Sequence, residues 1–167
     1  MGEIVPLAEV AALAGRLRER GRVIVLTNGC FDLLHVGHLR CLAGAKRLGD
    51  VLLVGVNDDE SVRRLKGAGR PFQPAAERAE LVAGLAPVDY AFVFHGLTAA
   101  SLVREIAPHV YAKGGGYTPE SLPEAEAAAA CGTRLALLPL VPGRSTTALA
   151  ARITGHGGSG LGPCKRR

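Results

Sequence analysis

Residues 23–38 read VIVLTNGCFDLLHVGH, and their reading decides the fold. Val23-Ile24-Val25-Leu26 is an unbroken apolar run, the pattern of a strand buried on both faces; a strand with one wet face would alternate. Thr27-Asn28-Gly29-Cys30 reads as a turn. Val36 to Leu48 reads as a helix closed by Gly49-Asp50. A buried strand that passes through a tight turn into a helix opens a parallel α/β unit.

The same alternation extends in both directions. Upstream, Pro6 to Arg20 carries Leu7, Val10, Leu13 and Leu17 at helical spacing and stops at Gly21. Downstream, strands are expected at Val51–Val56, Tyr90–Phe94, from Val110, and at Leu135–Leu138. Helices are expected at Asp59–Leu65, Ala75–Leu85, Thr98–Ile106, Pro123–Ala130 and Thr146–Ile153. Lys66 to Pro74, with two prolines and two glycines, reads as a loop, and Gly114-Gly115-Gly116 as a flexible turn. The pattern predicts an α/β fold: a Rossmann-like three-layer αβα sandwich on a five-stranded parallel sheet. One domain is expected over residues 1–154, with 155–167, lacking any apolar period, as a disordered tail.

Composition narrows the class without choosing a function. The 167 residues are 48% hydrophobic and 21% charged, ordinary for a globular domain with a real core. The net charge of +5 gathers in Arg16, Arg18, Arg20 and Arg22 and in Lys165-Arg166-Arg167. With only 4% aromatic residues there is no stacking platform, so no nucleic-acid partner is expected. A positive balance equally suits a protein that handles phosphates. The four cysteines, Cys30, Cys41, Cys131 and Cys164, show no paired spacing, which predicts reduced thiols and a cytoplasmic protein. Met1 to Val10 carries acids rather than a basic start followed by an apolar run, and no apolar stretch is long enough to span a bilayer. Neither a signal peptide nor a membrane partner is expected.

In parallel sheets ligands sit beyond the carboxyl ends of the strands, where the strand order reverses. The residues that follow the strands fit that rule. Gly29 permits a tight turn, and the helix after it offers unpaired N–H groups and a partial positive charge to an anion. His35 and His38, three apart, can share one face at the helix entrance, and Gly37 between them lets a phosphate approach the backbone. Two imidazoles there can donate to phosphate oxygens while charge redistributes at phosphorus. A zinc site lacks a third ligand at convincing spacing. Asp32 can either hold Mg²⁺ through water or cap the coming helix. Lys66, in its Gly/Pro loop, reads either as a solvated lysine or as one that reaches a triphosphate, and Asp59 either as a helix cap or as a ligand contact. Ser145, Thr146 and Thr147 precede the last helix with hydroxyls and N–H groups; one N-cap accounts for one of the three.

This segment closely resembles the HxGH motif of the nucleotidyltransferase superfamily that includes cytidylyltransferases and pantetheine-phosphate adenylyltransferase. Within it, the chain is most similar to the adenylyltransferase domains of ADP-heptose synthesis. The resemblance runs from about Pro6 to Ile153 and is carried further by Val56-Asn57-Asp58-Asp59, Arg64-Leu65-Lys66-Gly67, Arg70-Pro71, Glu77-Arg78, Val88-Asp89, Lys113-Gly114-Gly115 and Ser145-Thr146-Thr147. It implies an enzyme that joins a sugar 1-phosphate, a heptose 1-phosphate in the nearest match, to a nucleotide from ATP and releases pyrophosphate. It implies catalytic roles for His35, His38 and Lys66, the last on the triphosphate. Nucleotide contacts are implied for Asn28, Gly29, Cys30, Phe31, Gly37, Lys113, Gly114, Arg144, Ser145, Thr146 and Thr147. Substrate contacts are implied for Asp32, Asn57, Asp59, Arg70 and Arg78. Mg²⁺ accompanies ATP, a homodimer is expected, and a separate sugar kinase upstream is expected to supply the acceptor. A cytidylyltransferase acting on glycerol 3-phosphate is the alternative within the superfamily, and a silent nucleotide-binding module the alternative outside enzymes.

Two positions depart from the family patterns. The heptose-type loop has an aspartate where this chain has Gly116. Glycerol-phosphate cytidylyltransferases carry an arginine where this chain has Leu140, which weakens the cytidylyl reading. No carboxylate pair serves as a general base, and none is needed. A sugar phosphate, with its second pKa about 6, is already largely ionised at neutral pH. Catalysis then reduces to positioning and charge stabilisation.

Overall fold

The computed structural model describes residues 1–139 and 141–155. The elements follow the chain as β1 (Glu3–Ile4), α1 (Leu7–Glu19), β2 (Ile24–Gly29), α2 (Val36–Lys46), β3 (Val51–Asn57), α3 (Asp59–Lys66), α4 (Ala75–Ala83), β4 (Tyr90–Phe94), α5 (Ala100–Ile106), β5 (Val110–Gly114), α6 (Ala125–Ala130), β6 (Arg134–Leu138) and α7 (Thr146–Gly155). All strand pairs are parallel, in the order β1-β4-β3-β2-β5-β6. The sheet therefore has six strands, not five. The additional one, β1, is two exposed residues held against Tyr90 and Ala91 of β4, too short to leave any hydrophobic period.

Period-two alternation in β2 explains the three layers. Ile24 and Leu26 face one core with Val10, Leu13 and Leu17 of α1 and Leu102, Val103 and Ile106 of α5. Val25 faces the other with Leu42 and Ala45 of α2 and Ala79, Val82 and Ala83 of α4. Both faces are covered, which is why the strand reads as continuously apolar.

The chain moves outward from β2 to β3 to β4, then returns to the far side of β2 to form β5. The order reverses between β2 and β5, and this is where such sheets bind ligands. Here β2 runs further than expected: Asn28 and Gly29, read as turn, pair with Gly55 and Val56 of β3. The turn is delayed to Cys30, and Phe31 takes φ 47°, an unusual left-handed conformation for a non-glycine residue. Helix α3 extends through Lys66 and is stopped by Gly67 at φ 93°, so Lys66 ends a helix and the loop begins at residue 67. Helices α5 and α6 begin two residues later than expected, at Ala100 and Ala125. Leu140 and residues 156–167, which include all of the expected tail but Gly155, lie outside the described residues. Among the described residues no helix is long and apolar enough to cross a membrane.

Candidate active site

Two chambers meet above the carboxyl ends of β2 and β5. The larger, about 430 Å³, runs from the start of α2 to the start of α7. The smaller, about 280 Å³, lies over the ends of β2, β3 and β5. Cys30, Phe31, His38, Cys41, Lys66 and Gly114 line both, so they form the shared wall.

The paired imidazoles stand where β2 delivers them. His35 is the N-cap of α2: its backbone is extended and its Nδ1 accepts the Gly37 N–H at 3.1 Å. That bond leaves the proton of the neutral ring on Nε2, the nitrogen free to donate. The His38 ring stacks on His35, with centroids 3.9 Å apart and planes at 20°, and its far side meets Phe31 at 5.3 Å. Burial holds both histidines below the usual range. For His38 the pKa is brought down to about 4, with the His35 ring as the second cause; for His35 the second cause is the Arg144 guanidinium. Both rings are therefore neutral donors at pH 7. His38 Nδ1 is buried without a hydrogen-bond partner. Gly37 has a reason beyond phosphate access: a Cβ there would lie 2.8 Å from His35 Cε1 and Nδ1, inside the ring that caps the helix.

The opposite wall is the start of α7. Ser145 Oγ accepts the Ala148 N–H at 3.1 Å and is the cap, while Thr146 Oγ1 donates to the Leu33 carbonyl at 3.3 Å, tying α7 to the HVGH turn. Thr147 and Arg144 are exposed on the same rim. Helix start, hydroxyls and guanidinium thus face the imidazole pair across the larger chamber, an anion-binding arrangement.

Asp32 is not the cap of α2. His35 caps the helix instead, and both Asp32 oxygens are engaged: Oδ2 by Arg70 Nη1 at 2.8 Å, Oδ1 by the N–H groups of Phe72 at 2.6 Å and Gln73 at 3.4 Å. The Arg70 guanidinium also covers the Phe72 ring at 4.1 Å. Asp32 thereby pins the loop after α3 to the wall of the cleft. Lys66 and Arg70 border the larger chamber, and Lys66, at the exposed end of α3, reaches over both.

Arg78 is corrected from substrate contact to internal anchor. It is 0% exposed, and its guanidinium donates to the Gln73 and Cys30 carbonyls and to Asp59 Oδ1. Asp59 is likewise occupied as the partner of Arg78, and the cap of α3 is its neighbour Asp58, whose Oδ1 accepts the Ser61 N–H. Asn57 is buried at the end of β3 and donates to the Gly96 carbonyl at 2.9 Å, from which it lines the smaller chamber.

At the end of β5, Lys113 Nζ donates to Asn28 Oδ1 at 2.7 Å and to the Tyr111 hydroxyl at 3.1 Å, and Tyr111 donates to the same Asn28 oxygen at 2.6 Å. Gly114 abuts Cys41, where a Cβ would lie 2.5 Å from Sγ. Burial raises both chamber thiols, Cys30 and Cys41, so they are neutral wall atoms. Gly116 has nothing within 4 Å of where a Cβ would stand, so the loop's missing acid leaves open space. Among the described residues no group of three or more His, Cys, Asp or Glu side chains is placed to hold a metal ion.

Sequence reasoning missed Cys41, Tyr111, Tyr117 and Glu124. Cys41 lies one helical turn after His38 and shares its face, a signal that was legible. Glu124 carried none, because its partners lie 11 and 25 residues away in other elements.

Comparison with known proteins shows the family. Residues 26–126 match the Cytidylyltransferase-like family. The chain is 48% identical over 136 residues to a protein of Syntrophotalea carbinolica named Bifunctional protein HldE, covering 81% of this chain and 28% of that one. It is 49% identical over 141 residues to the protein of that name from Streptomyces coelicolor, covering 84% and 30%. The chain thus spans under a third of the length of these relatives. Among solved structures, the lipopolysaccharide core biosynthesis protein from Thermoplasma volcanium GSS1 superimposes with a TM-score of 0.59 at 28% identity, over 72% of this chain and 98% of that one.

Proposed function

The chain belongs to the cytidylyltransferase-like family, and from that premise we propose that it is an adenylyltransferase that joins a sugar 1-phosphate, a heptose 1-phosphate first of all, to the AMP portion of ATP. The substrate choice is carried over from the HldE relatives. The observation that carries the chemistry is the stacked His35–His38 pair at the start of α2, opposite Ser145–Thr147.

The nucleotide's phosphates occupy the larger chamber and the acceptor the smaller, so Asn28, Gly29 and Lys113, expected on the nucleotide, stand on the acceptor's side, while Asp32 and Arg70, expected on the substrate, border the phosphates. An oxygen of the acceptor phosphate attacks the α-phosphorus; the bond from that phosphorus to the bridging oxygen breaks, and pyrophosphate leaves with the electron pair. The acceptor oxygen is already ionised, so no base has to remove a proton. His38 and Lys66, on the shared wall, face the transferring phosphoryl group, and His35 donates through Nε2. Ser145, Thr146, Thr147 and Arg144 hold the leaving portion. These donors are fixed before substrate arrives, which is what makes them effective against developing charge.

Mg²⁺ is proposed to arrive on the triphosphate, the usual way a phosphate-handling site takes it. The described residues form no cage for it, and the engaged oxygens of Asp32 argue against a dedicated ligand. When bound, it neutralises phosphate charge. The same reading includes a sugar kinase that supplies the acceptor, a homodimeric assembly and a cytoplasmic setting.

The test is pyrophosphate release from a panel of four nucleoside triphosphates against heptose 1-phosphate, other sugar 1-phosphates and glycerol 3-phosphate. ATP with heptose 1-phosphate should turn over fastest, and His38→Ala should slow it at least ~100-fold, the scale of losing one preorganised donor. Preference for CTP with glycerol 3-phosphate would transfer the assignment to the cytidylyl branch. ATP binding without release for any acceptor would reduce the protein to a binding module.

A further inference from the structure

Resting on the two-chamber reading above, we infer that Glu124 is a positioning residue: its buried carboxylate holds the Lys113 ammonium at the floor of the smaller chamber, aimed at the phosphate of the acceptor.

Glu124 lies at the start of α6, outside the binding chambers, and is 1% exposed. Its Oε1 accepts the Ala99 N–H at 2.8 Å and stands 3.6 Å from Lys113 Nζ. Its Oε2 is buried with no hydrogen-bond partner. A glutamine would satisfy the Ala99 N–H without carrying a charge into the interior, so the amide bond alone does not account for a carboxylate there. What does account for it is the cation opposite. Lys113 is itself mostly buried, and burial lowers the affinity of its amine for a proton. The Glu124 carboxylate works in the other direction and is the largest influence that does.

The other groups facing Lys113 are Asn28 and the Tyr111 hydroxyl, which accept from it, the Tyr117 ring at 5.7 Å, and the thiols of Cys30 and Cys41. Burial and the Glu124 carboxylate keep the Tyr111 hydroxyl protonated, and both thiols are raised, so none of these carries negative charge at neutral pH. Glu124 is therefore the one full counter-charge that these facing groups supply. Lys113 lines the smaller chamber but not the larger, which separates it from the hydroxyl and N–H wall at α7. A fixed cation on the acceptor's side of the shared wall suits a dianionic phosphate, and without Glu124 that cation would become pH-dependent.

The experiment is Glu124→Gln in the full chain, read in two ways. The chain has four lysines, so the side-chain methylene signals of Lys113 can be assigned and titrated by NMR without turnover. The midpoint should fall by about one pH unit or more in the variant. In pyrophosphate release, KM for the sugar phosphate should rise about tenfold at neutral pH and climb towards pH 9 more steeply than in wild type, while KM for ATP stays within about twofold. An unchanged Lys113 midpoint, or an equal rise in both KM values, would overturn the inference. Should the variant lose its cooperative melt, Glu124→Gln combined with Lys113→Met decides: restored melting supports the pairing, and failure to restore it refutes it. Absence of turnover in wild type would count against the enzymatic reading alone, because the titration does not depend on it.

Discussion

Replacing Gly37 with alanine tests how the active site is assembled, because one methyl group acts on stability and on catalysis in different ways. The new Cβ would stand 2.8 Å from His35 Cε1 and Nδ1, well inside contact distance, and the ring is the softer partner. If the ring swings aside, α2 loses its cap, the 3.1 Å bond from the Gly37 N–H, at a cost of about 1 kcal/mol. Alanine in place of glycine in the same helix returns up to about 1 kcal/mol through reduced backbone entropy. The two effects nearly cancel, so urea unfolding should report a change within about 1 kcal/mol of zero. Catalysis has no such compensation. The stack at 3.9 Å is broken, the nitrogen that donates is no longer set by the cap, and a displacement near ~1 Å costs on the order of 100-fold in rate. Pyrophosphate-release kinetics measured beside the unfolding curve separate the outcomes. Turnover within about threefold of wild type, in a folded variant, would refute the idea that the capping geometry prepares the imidazoles for chemistry.

Stability should fall as the pH is lowered through the window set by His38. Its folded pKa of about 4 lies below the ordinary 6.5, so the unfolded chain binds the proton first. The contribution is intact above pH 6.5, is lost as the pH falls toward 4, and totals about 3 kcal/mol at most; the wild-type urea midpoint should fall through this window more steeply than that of His38→Gln. Arg78→Met strands the Cys30 and Gln73 carbonyls and the Asp59 carboxylate, so it should cost about 3–5 kcal/mol, and a loss under about 1 kcal/mol would show that the anchor is dispensable. Lys66→Ala, at an exposed helix end, should leave unfolding within about 0.5 kcal/mol while raising KM for ATP some ~10-fold or more, and a melt that shifts without a KM effect would contradict its triphosphate role.

Much of the architecture and the centre of the site can be read along the chain. Continuous apolar runs announce strands covered on both faces, and the paired histidines around Gly37 announce the wall of the cleft at the start of α2, because both signals are local. The period of a strand or helix and the chemistry of a turn are spelled within about ten residues. The same locality placed Ser145 to Thr147 at the entrance of a helix, where the structure finds a cap at Ser145 and a tether in the first turn at Thr146.

What tertiary structure decided is which charges meet. Asp32, Asp59, Arg70 and Arg78 look alike along the chain as candidates to touch a substrate. Folding brings Arg78 from 48 residues away to the Cys30 carbonyl, sets it on Asp59, and places Arg70 on Asp32, so most of the expected contacts become braces. Glu124 was invisible for the converse reason. It reaches Lys113 because the connection after β5 folds back and lays the start of α6 beside the end of that strand. Hydrophobic period is a property of neighbours in the chain, whereas charge pairing is set by distance in space, and the strand order alone determines which distances become short.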